Sequence, residues 1–292
     1  MKLLVIGDFH GNFPEKLKRK IKREKIDLVI GLGDYSGIPE WKPMVMKRLK
    51  AAKEGREIPS PEEIIGKKEF KKLLKKDFEL GKNVLYNLDK IGKGFYIFGN
   101  GDDEWYKYPF DKKVDSVKKI NINFLKKLKN LKNINYKKTK FKGLEIIGFG
   151  GYMDIDAVFD KKEFKGAENK EQLKGRIRRR EKAKERFFNL LKNIKDKKIF
   201  VLHYSPKGFF DIIKDIKSNP MNGKSAGINF FTEAIKKYKP LLVVCGHMHE
   251  YQGKKKLGKT IIINPGSAFE GKAAIINLDE RKGKIKSIKF LK

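Results

Sequence analysis

Short apolar runs alternate with longer charged stretches along the whole chain. Six of these runs are continuously apolar, the pattern expected of strands that are covered on both faces. They span 2–7, 27–32, 94–98, 144–149, 198–202 and 241–245. The amphipathic stretch 13–24 between the first two runs predicts a β-α-β opening with parallel strands. The pattern therefore indicates an α/β fold.

Further helices and a different closing segment complete the prediction. Apolar residues recur at helical spacing in 62–90, 165–195, 207–217 and 227–237. Near the C-terminus, strands separated by Gly- and Lys-rich turns predict a closing antiparallel meander. These strands span 250–253, 258–263, 272–277 and 284–291. We expect one domain over 1–292, with helical insertions near 41–90 and 153–195.

The composition is that of a globular chain and bears on its compartment. Of the 292 residues, 39% are hydrophobic, enough for a buried core. The single cysteine, Cys245, excludes an internal disulfide and suits a reducing cytoplasm. No apolar run approaches the roughly 20 residues of a membrane span, and the apolar start 2–7 is too short for a signal peptide. We expect a cytoplasmic protein without a membrane partner.

The chain is strongly basic. It carries 70 Lys and Arg against 36 Asp and Glu, a net charge of +34. Such a surface attracts polyanions, and the densest basic patch, Arg176–Arg180 with its extension to Arg186, could follow a phosphate backbone. Lysine is nevertheless spread along nearly the whole chain, as in thermophile proteomes. A solvated helix face is the favoured interpretation of the patch. The charge leaves a nucleic-acid partner open without assigning a site.

Metal-capable side chains follow five separate strand predictions. Parallel α/β sheets bind ligands at the carboxyl ends of their strands, and all four histidines lie there. The candidates are Asp8, His10, Asp34, Asn100, His203, His247 and His249. In extended backbone, Asp8 and His10 would point to one side, as would His247 and His249. Mixed Asp, Asn and His ligands suit Mn, Fe or Zn better than Ca.

Each candidate also has a structural interpretation when taken alone. Asp8 or Asp34 could cap the helix that follows it, and Asn100 could be a turn residue between two glycines. His203 could be a core histidine with its hydrogen bonds satisfied. Five strand ends that all carry such residues favour a functional site over these separate explanations.

Five ordered motifs carry a resemblance to a known family. They read Gly7-Asp8-Phe9-His10-Gly11-Asn12, Gly33-Asp34, Gly99-Asn100, His203 and Gly246-His247-Met248-His249. In order and spacing they resemble the motifs of the calcineurin-like metallophosphoesterases. The resemblance implies a four-layer αββα sandwich, in which two mixed β-sheets face each other and helices flank both outer faces. It also implies a phosphoester substrate.

The resemblance further implies a dinuclear site with two divalent metal ions. Mn²⁺ is the expected ion, with Fe, Zn and Ni as alternatives. The ligands would form two sets that share one carboxylate: Asp8, His10 and His249 for the first ion, Asn100, His203 and His247 for the second, and Asp34 for both. A hydroxide between the metals would attack phosphorus in line. Asp34, Asn100 and His203 are the expected catalytic residues, and Asn100 would also contact the phosphate.

The chain departs from the family pattern at Gly101. Many members carry a histidine here that protonates the leaving group or binds the phosphate. General acid catalysis typically contributes about 10²–10⁴ in rate. Asp102 or Asp103 could substitute, the substrate could have a good leaving group, or turnover could be slow. For both aspartates a solvated turn is the favoured interpretation.

Two further segments bear on substrate binding. Gly223–Gly227 resembles the family's glycine-rich approach to a helix, where Lys224 could contact substrate; a capped loop explains it equally well. Asn12 is the other candidate substrate contact. Asn264–Ser267 resembles a loop of the smaller phosphodiesterases and is expected as a structural turn near the site.

The function indicated by these residues is metal-dependent phosphoester hydrolysis, with phosphodiesters as the expected substrates. A nuclease acting on DNA or RNA is the alternative within the same class, because of the net charge. An alternative of another class is a nucleic-acid-binding protein with weak catalysis, because of Gly101.

Overall fold

The computed structural model is built on two mixed β-sheets of six strands each. It describes residues 1–54, 56–106, 109–110, 122–155, 170–194, 197–214 and 219–292, without the side chains of 52, 53 and 170–172. The strands are β1 Lys2–Ile6, β2 Leu28–Gly31, β3 Gly94–Tyr96, β4 Leu131–Asn133, β5 Lys137–Phe141, β6 Leu144–Phe149, β7 Lys197–Leu202, β8 Leu242–Cys245, β9 Gly253–Leu257, β10 Thr260–Asn264, β11 Ala273–Asp279 and β12 Lys284–Leu291. The helices are α1 Glu15–Lys22, α2 Lys42–Lys53, α3 Pro61–Ile65, α4 Lys67–Asp89, α5 Lys170–Leu190 and α6 Asn229–Tyr238.

Each sheet combines a run of parallel strands with antiparallel neighbours. The first sheet has the order β12-β11-β1-β2-β3-β4, and β1 to β4 run parallel. The second has the order β5-β6-β7-β8-β10-β9, and β6, β7, β8 and β10 run parallel. The remaining neighbours pair antiparallel. The α/β class with two facing mixed sheets is therefore confirmed.

Alternating side chains on the strands produce the four layers. On β1, Leu3 and Val5 join the apolar cluster that also contains Ile146 and Val201 of the second sheet, so this cluster lies between the sheets. The intervening Leu4 and Ile6 belong to a second cluster with residues of α1 and α4. A third cluster places α5 and α6 on the outer face of the second sheet. The central strands are covered on both faces, which explains their continuous apolar runs.

Two predictions about helices were wrong. The segment 207–217 is not helical where it is described, because Gly208 and Phe210 have φ values of 88° and 56°, which a right-handed helix does not admit; residues 215–218 lie outside the described part. The predicted helix 62–90 is divided into α3 and α4 at Gly66, which has a φ of 81°.

The closing segment is not one meander. β9 and β10 form a hairpin on the second sheet, whereas β11 and β12 form one on the first. The strand predicted at 250–253 starts only at Gly253. Between the hairpins, the amide of Ala268 donates to the carbonyl of Gly7, so the crossover is held at the end of β1.

The edge strands β4 and β5 were not predicted, because both are polar and lysine-rich. The insertions near 41–90 and 153–195 contain α2 to α4 and α5, with 156–169 outside the described residues. The assignment of 1–292 to one domain stays a prediction. Over the described ranges, no helix has the length and apolar character needed to cross a membrane.

The aromatic packing under α5 gives a stability prediction. Phe187 is fully buried, with ring centroids 5.0 Å from Phe149 and Phe231 and 5.6 Å from Phe200. Phe187→Ala should lower the free energy of unfolding by about 3–5 kcal/mol in urea denaturation, because it leaves a cavity. The control Ile177→Ala removes a 47% exposed side chain from the same helix, and its effect should stay within about 0.5 kcal/mol. Equal losses would contradict this packing.

Candidate metal centre

The seven candidate residues lie where five strands of both sheets end. Four of the residues follow three strands of the first sheet, and the other three follow two strands of the second, on the loops that leave their carboxyl ends. The loops after β1, β2, β3, β7 and β8 carry, in this order, Asp8 and His10, Asp34, Asn100, His203, and His247 with His249. The sheets thus bring together residues that are far apart in sequence.

One group gathers four side chains. Ligand atoms of Asp8, His10, Asp34 and His249 all lie within 4.8 Å of one another. The Nε2 atoms of His10 and His249 are 2.9 Å apart, and His10 Nε2 is 3.9 Å from Asp34 Oδ2. The His249 side chain is 39% exposed, so this group opens to solvent.

A second group shares Asp34 with the first. Ligand atoms of Asp34, His203 and His247 also lie within 4.8 Å of one another. His203 Nε2 is 3.6 Å from Asp34 Oδ2 and 2.9 Å from Asn100 Oδ1. Asp34 is therefore the residue through which the two groups meet.

Left-handed backbone turns aim several of these side chains. Asp8, His10, Asp34 and His247 have φ values of 55°, 47°, 52° and 68°. This conformation is rare for non-glycine residues and is concentrated at functional sites. The expectation that extended backbone aligns the i and i+2 pairs was wrong. Turns with positive φ set the directions of Asp8, His10 and His247 instead, and His247 and His249 join different groups.

Hydrogen bonds fix the orientation of two imidazoles. His10 Nδ1 lies 2.8 Å from the Gly37 carbonyl oxygen, and His203 Nδ1 lies 2.9 Å from that of Leu32. A carbonyl only accepts, so each Nδ1 carries the proton and each Nε2 presents a lone pair to the centre. At His203 this lone pair meets the Asn100 amide oxygen, also an acceptor, at 2.9 Å. A cation bound by both atoms would satisfy such a convergence of acceptors.

The electrostatics of the centre also favour a cation. Asp8 and Asp34 are buried, and over the described residues neither forms an ion pair with Lys or Arg. Burial, followed by the nearby charge of Asp34, raises the pKa of Asp8 well above its usual value. Burial lowers the pKa of His203 and His247, which keeps these rings neutral, the form that binds metal. Buried carboxylates and neutral imidazoles fit a divalent ion.

Two glycines allow the loop after β3 to lie on the Asp34 loop. A Cβ atom on Gly99 would be 2.1 Å from Asp34 Oδ1. A Cβ on Gly101 would be 3.1 Å from the same oxygen and from the Ser36 carbonyl, and the Gly101 amide donates to Asp34 Oδ1 at 2.7 Å. At the position of the family's acid histidine, this chain therefore has a glycine whose backbone lies against the Asp34 loop.

The solvated turn expected for Asp102 was wrong. Its buried carboxylate accepts hydrogen bonds from the Ser36 amide and hydroxyl, each at 3.0 Å, and from the Gly99 amide at 2.8 Å. Burial, with the charge of Asp34, raises its pKa to about 7. Asp102 thus joins the loops that carry Asp34 and Asn100, and the polar turn sequence gave no signal of this burial.

The other predicted positions differ in how closely they approach the centre. The Ser267 hydroxyl donates to the Asp8 carbonyl at 2.8 Å, so the Asn264–Ser267 loop adjoins the site. Asn12 is exposed two residues after His10. The Lys224 carbonyl accepts from the Ile213 amide. Substrate contacts of Asn12 and Lys224 stay predictions.

The fold and the grouped ligands define a metallophosphoesterase type of protein. A family model described as metallophosphoesterase, calcineurin superfamily, matches residues 1–288. The chain belongs to this superfamily. Membership implies a hydrolase that acts on phosphoesters with divalent metal ions.

Two solved structures agree with this assignment at the level of fold. One crystal structure has a TM-score of 0.64 at 18% identity, covering 100% of this chain and 99% of that chain. The crystal structure of TT1561 of Thermus thermophilus has a TM-score of 0.51 at 17% identity, covering 99% and 97%. A structure described as a novel archaeal phosphodiesterase has a TM-score of 0.41 at 11% identity and covers 100% of both chains. No curated protein sequence matches.

The close approach at Gly99 gives a prediction about the centre. In Gly99→Ala the new Cβ must displace the shared carboxylate, so we expect calorimetry to show much weaker Mn²⁺ binding and stability to fall by about 1–3 kcal/mol. In the control Gly175→Ala, on α5, the new Cβ meets only Arg179 Nη1 at 3.6 Å. It should keep Mn²⁺ binding and gain up to about 1 kcal/mol from helix propensity. Unchanged Mn²⁺ binding in Gly99→Ala would contradict the geometry.

Proposed function

We propose that this protein is a metal-dependent phosphodiesterase with two divalent ions. The observation that carries the proposal is the pair of ligand groups that share Asp34. The proposed ligands are the seven residues at the strand ends. Asp8, His10 and His249 would bind one ion, Asn100, His203 and His247 the other, and Asp34 both. Mn²⁺ is the ion we expect, with Fe, Zn and Ni as alternatives.

The chain's own groups determine what the centre can do. Divalent ions in such a site lower the pKa of water and stabilise charge on phosphoryl oxygens. Asp34 would hold both ions, since its Oδ2 faces His10 Nε2 and His203 Nε2 while the Gly101 amide fixes its Oδ1. The Asn100 side chain lies beside His203, where it can also reach a phosphate oxygen. We therefore assign Asp34, Asn100 and His203 to the catalytic centre.

Two features support diesters with good leaving groups. The Asn264–Ser267 loop, which resembles that of small phosphodiesterases, is bonded to the Asp8 carbonyl through Ser267. Gly101 offers no side chain to protonate a leaving group, and Asp102 uses its carboxylate to hold two loops. A substrate whose leaving group needs little protonation suits this arrangement.

Substitution of the shared carboxylate tests the proposal. The metal-free protein, reconstituted with Mn²⁺, should hydrolyse bis-p-nitrophenyl phosphate. In Asp34→Asn one ligand oxygen is lost, and kcat should fall by more than about 100-fold, the upper end of what changes around a metal site usually cost. Asp27→Asn, the same change at the exposed opposite end of β2, should leave kcat unaltered.

The absence of hydrolysis would decide against the proposal. A folded wild-type protein that hydrolyses neither this diester nor p-nitrophenyl phosphate, with any of Mn, Fe, Zn or Ni, would refute the proposal. Hydrolysis of the monoester alone would refute the diester preference and leave the metal centre intact.

A second candidate is the hydrolysis of phosphodiesters within nucleic acids. Edge strand β9 starts four residues after His249 and exposes three consecutive lysines, Lys254, Lys255 and Lys256. Lysines on an edge strand also prevent aggregation, so their position alone does not assign a ligand. The Arg176–Arg180 patch is less suited to docking than its sequence indicates, because Arg179 pairs at 3.0 Å with the buried Asp154.

The salt dependence of oligonucleotide binding tests this candidate. Each phosphate contact to a single strand changes the slope of log K against log salt by about 0.7. The double variant Lys254→Gln/Lys256→Gln should therefore flatten the slope by about 1.4 and slow cleavage. The control Lys16→Gln/Lys22→Gln removes the same charge from exposed positions on α1. Binding without cleavage would instead support a nucleic-acid-binding protein with weak catalysis, and equal effects of the two variants would reject β9 as the docking strand.

A further inference from the structure

Asp77 is a buried carboxylate in the middle of a strongly charged helix. It lies on α4 directly after two lysines, a context in which a solvated side chain is expected. Its side chain is instead only 8% exposed and faces the loop that follows Asp34. A buried carboxylate needs strong hydrogen-bond donors, and the identity of those donors indicates what it does.

Three N–H groups from one short segment converge on this carboxylate. Oδ1 accepts from the Gly37 amide at 2.7 Å and from the Ile38 amide at 3.1 Å. Oδ2 accepts from the indole Nε1 of Trp41 at 2.8 Å. The Trp41 ring also packs on Phe70 of α4, with centroids 5.9 Å apart. Residues 37–41 are thus held on α4 by charge-assisted hydrogen bonds and by a ring contact.

The same segment orients a histidine of the metal centre. Gly37 donates its amide to Asp77, and its carbonyl accepts from His10 Nδ1 at 2.8 Å. Next to His10, a Cβ on Gly11 would lie 2.6 Å from Ile38 and 3.1 Å from Leu80 of α4, so helix and loop are closely packed beneath the histidine. One residue, Gly37, therefore connects the Asp77 carboxylate to the His10 imidazole.

We propose that Asp77 is a positioning residue for the first ligand group, Asp8, His10, Asp34 and His249. By fixing the Gly37 carbonyl, it sets the tautomer and direction of the His10 ring. The proposal rests on the two-ion centre of the proposed function. It makes α4, within the segment 41–90, part of the site's support. Outer partners of metal ligands typically contribute about 10–100-fold to metal affinity.

The same helix provides a matched control in Asp89. It is also 8% exposed, and it too accepts three N–H groups, from the amides of Lys129, Asn130 and Leu131 at 2.8–3.0 Å. These donors belong to the segment that leads into β4, whose strand end carries none of the seven candidates. Asp77→Asn and Asp89→Asn should therefore lower stability similarly and differ in their effect on the centre.

Calorimetric titration of the metal-free full chain with Mn²⁺ provides the first readout. Asp77→Asn should weaken one of two Mn²⁺ sites about 10–100-fold and leave the other within about twofold. Asp89→Asn should leave both sites as in the wild type. Imidazole ¹⁵N spectra of the metal-free protein give a second readout, in which the Nδ1–H form of His10 should be lost only in Asp77→Asn. His10→Gln assigns that signal.

A compensating variant separates positioning from damage to the fold. In Asp77→Asn, one of the two carboxylate oxygens becomes an NH₂ donor and opposes the indole N–H of Trp41. Adding Trp41→Phe removes this conflict and leaves the amide oxygen to accept from Gly37 and Ile38. The double variant should recover most of the Mn²⁺ affinity and the His10 signal.

Three outcomes would overturn the proposal. They are equal weakening of both Mn²⁺ sites by Asp77→Asn, the same change in Asp89→Asn, or a wild-type chain that binds no Mn²⁺ and lacks the Nδ1–H form of His10. A wild type that binds two Mn²⁺ ions without hydrolysing diesters would refute only the proposed activity. The role of Asp77 would then still be decided by the variants.

Discussion

Two carboxylates, Asp8 and Asp34, are buried next to each other, and over the described residues no Lys or Arg pairs with them. Like charges in a low-dielectric setting destabilise each other, so this arrangement requires compensation. Part of it comes from backbone amides, since His247 donates to Asp8 and Gly101 donates to Asp34. A divalent cation, which the family uses, would supply the remainder if these carboxylates and the neutral imidazoles around them held it.

The two facing sheets hold the carboxylates Asp8 and Asp34 close together, because the loops that carry them follow well-buried strands. Ile6 and Leu202, which end β1 and β7, are fully buried, so the loops after them start from fixed positions. The positive φ values of Asp8 and His247 cost free energy, and the packing of the strands below offsets that cost. The centre therefore depends on contacts from both sheets.

The strands and their ends were predictable, whereas the connections between loops were not. Continuous apolar runs marked the central strands, and the polar residues that follow five of these runs marked the candidate site. β5 escaped prediction because an edge strand needs no apolar run. Asp77 and Asp102 escaped it because each lies in a polar stretch, and their burial depends on residues distant in sequence. The left-handed turns at Asp8 and His10 were not predicted, because non-glycine residues adopt this conformation only where tertiary packing enforces it.

The loop that carries Gly101 helps to hold Asp34 without offering a side chain to the centre. The loops after β2 and β3 approach so closely that a Cβ on Gly99 would overlap Asp34 Oδ1, and the Gly101 amide donates to that same oxygen. A Cβ at position 101 would lie 3.1 Å from two oxygen atoms, so a side chain there would require its neighbours to shift by a few tenths of an ångström. With glycine at this position, the loop contributes a backbone donor to the shared carboxylate and no side chain that could donate a proton. Under the proposed function, this favours substrates whose leaving groups depart without a proton.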